Sequence, residues 1–156
     1  VRALGAFPHD GAIDSLMMVE HHPEPMMRIA YNEAVLRLSQ ESARRRKAIE
    51  TLGKLLDKAP YQNKTILEAL GGSGERAALS ILVARLEKGD DYDRRIAAEQ
   101  IARLGFPEGV SALLAIKKGT SKAKPDKVLG LDRVLDEWIA SAPLQKEVAE
   151  ALYVFD

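Results

Sequence analysis

The chain has 156 residues, of which 46% are hydrophobic, 29% charged and only 5% aromatic, a length and balance that suit one domain with an aliphatic core. Lys plus Arg number 23 and so do Asp plus Glu, which argues against a dedicated nucleic-acid binder with its usual basic excess. With no cysteine, disulfides, zinc–thiolate sites and cysteine nucleophiles are excluded, and no apolar run approaches the ~18 residues of a membrane span.

In chain order, the opening VRALG has the pattern of a helix already under way, ended by Gly5. The spacing predicts a first helix near 11–20 and a second near 24–39. In the latter, Met27, Ala30, Tyr31, Ala34, Val35 and Leu38 recur at the spacing of one helical face. A helix near 42–57 carries Ile49 and Leu52, and another follows near 62–71. Leu79, Leu82, Val83 and Leu86 mark the buried stripe of a helix at 74–88. The next, at 91–104, is preceded by Asp90 and Asp91 as capping residues. Helices near 107–118 and 125–141 flank the longest loop, KKGTSKAKPDK, and a last helix at 144–155 closes the chain. Gly5, Gly71 and Gly105 stand where helix ends favour positive φ, and Pro107, Pro125 and Pro143 where a first turn tolerates a missing N–H. No segment alternates with period two, so no strand is expected.

The elements recur. Leu4, Leu38, Leu70, Leu104 and Trp138 fall 32 or 34 residues apart. Behind these anchors, Ile13, Leu79 and Leu113 occupy one equivalent position, and Leu16, Leu82 and Ile116 another. In the repeat that starts at Leu38, two extra loop residues shift the equivalents to Ile49 and Leu52. Such a period signals stacked units, here pairs of helices whose apolar stripes are buried only against their neighbours. The expected architecture is all-α, a single-domain α-solenoid spanning 1–156, with about four helical hairpins and a closing C-terminal helix. The mid-helix start and the apolar ending ALYVFD predict a piece of a longer protein or self-association through open ends. A strict monomer in sedimentation equilibrium over a wide concentration range would exclude the latter. The compartment is not fixed by composition, with the cytoplasm favoured.

The stretch LGGSGERAALSILVARLEKGDDYDRRIAAEQIARLG, residues 70–105, resembles short HEAT-like repeats of the phycobilin-lyase-related type. LGAFPHDGAIDSL with MRIAYNEAVLRL, and LGFPEGVSALL, resemble the same unit less fully, and residues 39–70 do so weakly. The resemblance implies a right-handed superhelix whose second helices line the concave surface. It implies a non-catalytic scaffold that binds a protein or peptide there, with an enzyme-associated (lyase-type or regulatory) or nucleic-acid-binding domain as the alternative.

Candidate contact residues lie on those second helices. Arg28, Arg94 and Arg95 stand early in them, where HEAT-like turns are tied together, with Asp91 as a partner. Glu33 with Arg37, and Glu99 with Arg103, are spaced i, i+4 with the acid first, and Arg133 with Glu137 reverses the order. A stripe of mixed sign suits a polypeptide better than a phosphate backbone. Two basic clusters, Arg44 to Lys47 and the lysines of 117–127, lack the interleaved aromatics of a base-stacking platform. Arg45 adjoins the Ile49 and Leu52 stripe, where its stem can cover apolar surface.

No cofactor and no metal are expected. The chain has no P-loop, G-x-S-x-G or H-E-x-x-H. The His-Glu pairs of iron-holding HEAT-like hydroxylases are absent, His21 and His22 being adjacent and pointing apart. GGSG at 71–74 has no following Lys and fits a helix-to-helix turn.

Overall fold

The computed structural model describes residues 13–14, 17–56, 58–122 and 128–140. Among these, eight α-helices and one short 3₁₀ turn are present and there is no strand. We number the helices α1 (Met17–Glu20), α2 (Pro25–Leu38), α3 (Ser42–Leu55), α4 (Asn63–Gly72), α5 (Arg76–Lys88), α6 (Asp91–Leu104), α7 (Pro107–Lys117) and α8 (Leu131–Ala140). They gather into two compact units, 1–69 and 70–156, with the boundary inside α4.

In the first unit α2 packs against α1 and α3. The buried side of α3 is Ala48, Ile49, Leu52 and Leu55, so Ile49 and Leu52 occupy the core as their spacing predicts. The buried face of α2 departs from the expected one. Ile29, Tyr31, Asn32, Val35 and Leu36 are buried, whereas Met27 and Ala30 are exposed. This helix is apolar nearly all round, so several stripes fit a period of 3.6 equally well, and packing against two neighbours selects one. Its C-terminus is closed from the next helix. The Arg45 guanidinium of α3 donates to the carbonyls of Leu36 and of Ser39, the latter at 3.2 Å, satisfying acceptors that a helix end leaves open. Arg45 therefore works as a cap.

In the second unit α6 is central, packing against α5, α7 and α8. Its burial follows from that position: Ile96, Ala97, Ala98, Gln100 and Ile101 leave little of its circumference in water. The helix starts where Asp90 accepts a hydrogen bond from the Asp93 backbone N–H at 2.8 Å, an N-cap that holds one otherwise orphaned donor. It ends at Gly105, in the left-handed region at φ 71°. Successive helices α5 and α6, and α7 and α8, pack against each other, and so do α5 with α7 and α6 with α8. Leu79 and Leu113, and Leu82 and Ile116, are all core residues. Leu70 is also buried, but the anchors Leu38 and Leu104, each the last residue of its helix, are only half-buried.

Two further expectations change. Gly71 does not end a helix: α4 runs through Gly72, and the positive φ falls on Gly74, at 69°. A Cβ at Gly71 would instead collide with the Gln100 side chain of α6, so this glycine is there for close packing. The GGSG segment is thus helix end plus turn, with the Ser73 hydroxyl donating to the Leu70 carbonyl at 2.6 Å. Helix α8 begins at Leu131, after a turn whose Gly130 has φ 77°. That turn interrupts the helix expected from 125. Leu4, Gly5, Leu16, Pro125, Pro143 and the helix at 144–155 lie outside the described residues, as does the Trp138 side chain.

Gly109, buried in α7, faces Ile101 and Leu79 of the neighbouring helices at close range. A Cβ there would stand 2.7 Å from Ile101 Cγ2 and 2.8 Å from Leu79 Cδ1. Gly109→Ala is expected to destabilise the fold by about 1–3 kcal/mol through overpacking. Gly119→Ala, with nothing near its missing Cβ but a positive φ of 71°, tests backbone strain separately. Urea unfolding of both variants measures the two effects.

Candidate interaction surface

The predicted contact residues fall into two groups, one in each unit. In the second unit, α6 presents Arg94, Arg95, Glu99 and Arg103, while α8 presents Arg133 and Glu137. The packing of α6 on α8 brings part of this set together. Arg133 Nη2 lies 3.3 Å from Glu99 Oε1 and Arg133 Nη1 lies 3.3 Å from Glu137 Oε1. One guanidinium therefore bridges carboxylates on two helices. Arg133 and Glu137 are well exposed and Glu99 half so, leaving the charges accessible to another molecule. The Arg133–Glu137 pair forms within α8 as its spacing predicts. Glu99 and Arg103 do not pair: Glu99 turns to the neighbouring helix, and Arg103 lies over α4, with Nη1 3.8 Å from where a Gly72 Cβ would stand.

Arg94 and Arg95 are held locally. Arg94 donates to the Glu87 carbonyl of α5 at 3.1 Å and lies 3.8 Å from Asp91. This ties the two helices of one hairpin at their shared turn. Arg95 lies over the Tyr92 ring, 5.5 Å from its centroid, a cation–π contact. In the first unit Arg28 is half-buried, Glu33 half-buried and Arg37 exposed. Glu33 and Arg37 are not brought within ion-pair distance of each other.

Sequence spacing missed the best-buried ion pair among the described residues. Asp93, 3% exposed, receives Arg85 from the last turn of α5, with Nη2 at 2.5 Å and Nε at 2.8 Å from Oδ2. Two guanidinium nitrogens converging on one carboxylate oxygen tie the two helices of the α5–α6 hairpin together. Its signal was an acid three residues after a capping Asp and an Arg in the preceding last turn, groups that meet only once the chain reverses.

A cleft of about 300 Å³ in the first unit was likewise unforeseen; Glu20, Tyr31, Asn32, Glu41, Arg44 and Lys47 contribute to its walls. Its cations are engaged internally. Lys47 Nζ lies 2.6 Å from Glu20, and Arg44 lies 2.8 Å from Asp14 and 3.2 Å from Glu41. With Arg45 turned to backbone carbonyls, three of the four side chains in the basic run 44–47 already have acceptors. In the other basic segment, Lys117 pairs with Asp132 at 2.7 Å.

These contacts set the alkaline behaviour. Burial raises the Tyr31 hydroxyl above the ordinary value of 10.0, with Glu20 adding to the rise and Arg44 and Lys47 opposing it. Lys47 and Lys117 are raised above 10.5, chiefly by their hydrogen bonds to Glu20 and Asp132. All three groups hold their protons more tightly folded than unfolded. Their contribution is therefore fully present below the ordinary values and is lost as pH rises through the higher folded ones. Spectrophotometric titration of the phenolates should show a late-ionising group that is absent from Tyr31→Phe.

Among the described residues, no cluster of three or more His, Asp or Glu side chains is arranged to hold a metal ion. No described helix is long and apolar enough to cross a membrane. No family model, curated protein or solved structure matches the chain.

Proposed function

We propose that the chain is a right-handed stack of HEAT-like helical hairpins, about four with a closing helix, acting as a non-catalytic scaffold. Its partner is a protein or peptide bound along the second helices. The single observation that carries this proposal is the exposed bridge Glu99–Arg133–Glu137, which spans α6 and α8. The pairing of α5 with α7 and of α6 with α8 in the second unit is the layering that stacked hairpins share. Alternating sign matches a polypeptide carrying both charges. A nucleic-acid backbone needs a continuous basic track, and here the cations of residues 44, 45, 47 and 117 are already paired or capping.

Site-specific photo-cross-linking in the source cell tests the proposal. Probes at Arg103 and Glu137, both exposed, should yield protein adducts that a probe at exposed Ser80 on α5 does not. Adducts from Ser80 alone, or adducts with nucleic acid, would overturn it.

A further inference from the structure

All four methionines of the chain and two of its three histidines lie in eleven residues, MMVEHHPEPMM, from Met17 to Met27. The segment is α1, the turn after it and the start of α2, and the two helices pack against each other. Met17 and Met18 stand five and four residues before His22, and Met26 and Met27 four and five after it. The two thioether pairs therefore flank the turn at equal distances along the chain, on helices that pack against each other.

Methionine ordinarily fills irregular gaps in cores. Here no methionine is among the buried hydrophobic residues, which are Leu, Ile, Val, Ala and one Tyr. The four are exposed instead, by 54% at Met17, 92% at Met18, 55% at Met26 and 40% at Met27. Packing does not account for four solvent-facing thioethers gathered at one place. Thioether sulfur is a soft, neutral donor that selects monovalent copper over hard or divalent ions.

We infer that this hairpin binds a soft monovalent metal ion, Cu(I) or Ag(I), with ligands drawn from the sulfurs of Met17, Met18, Met26 and Met27 and from the exposed imidazole of His21. His22 has a different task. Its Nδ1 accepts the Glu24 backbone N–H at 3.1 Å, which leaves the proton of the neutral ring on Nε2. Neither nitrogen then offers a free lone pair, and His22 serves to shape the turn that brings the arms together. The lack of a His and carboxylate cluster among the described residues points away from zinc and from other divalent ions.

The test uses the whole chain, with its methionine ε-methyl groups labelled for NMR. Ag(I), which needs no reductant, and Cu(I) under anaerobic reducing conditions are each titrated in. One equivalent should shift the ε-methyl resonances of both pairs, and the protein should withdraw Cu(I) from a chromophoric chelator. The variant M17L/M18L/M26L/M27L keeps the apolar area but not the sulfur. It should retain helical circular dichroism and lose the withdrawal. Unmoved methyl resonances in the unaltered protein would overturn the inference whether or not the variant folds. So would Cu(I) withdrawal by a folded leucine variant equal to that of the parent, or binding of Zn(II) in preference to Ag(I).

Discussion

Leu82→Ala should lower the unfolding free energy by about 2–5 kcal/mol, the range for removing a buried leucine and leaving a partly collapsed cavity. Leu82 is fully buried on α5, one helical turn from Leu79 and from Leu86, both core residues. Ile116, 34 residues further on, is buried in α7, so Ile116→Ala should fall in the same range. Glu99→Ala gives the contrast. Its partner Arg133 is 62% exposed and keeps Glu137 as an alternative, so the loss should stay well below about 1 kcal/mol. Denaturant melts that placed Leu82→Ala and Glu99→Ala together would show that the inside–outside assignment is wrong.

Asp93→Ala is expected to be comparably damaging for an electrostatic reason. The Asp93 side chain is 5% exposed and that of Arg85 14%. Removing the carboxylate takes this counterion from a guanidinium in a largely dry site, which typically costs about 3–5 kcal/mol. Most of that loss reflects the desolvated charge that has lost its counterion, not the value of the pair itself. Replacing both partners, as Arg85→Met with Asp93→Leu, should therefore recover much of the stability. A double mutant no better than Asp93→Ala would mean that the pair contributes through its hydrogen-bond geometry, by holding the turn between α5 and α6. Gly89 occupies that turn, where an added Cβ would lie 3.1 Å from Asp93 Cβ.

Helix α6 was fully legible because both of its ends are written locally. Asp90 supplies a cap within three residues, and Gly105 supplies the positive φ that stops the helix. The stripe of α5 was legible because its apolar residues leave one clear face, with Val83 at its half-buried margin. Helix α2 was not, since its apolar residues surround the axis and only its neighbours decide between faces. Gly71 was misassigned because a glycine that permits a turn and one that permits close packing are identical in sequence. The site divides in the same way. Arg133 with Glu137 follows from spacing along one helix. Arg133 with Glu99 and Arg85 with Asp93 join side chains of different helices, a property of the folded chain.

The Arg45 cap has one more consequence. A guanidinium stays cationic at any pH a protein survives, and the Leu36 and Ser39 carbonyls that it caps gain or lose no proton. Acid that neutralises carboxylates leaves this clasp untouched. The end of α2, where Leu36 and Ser39 accept from Arg45, should accordingly keep protection against hydrogen exchange that Arg45→Ala loses as the protein is acidified, and a persisting clasp there would give a refolding chain a reversal already formed.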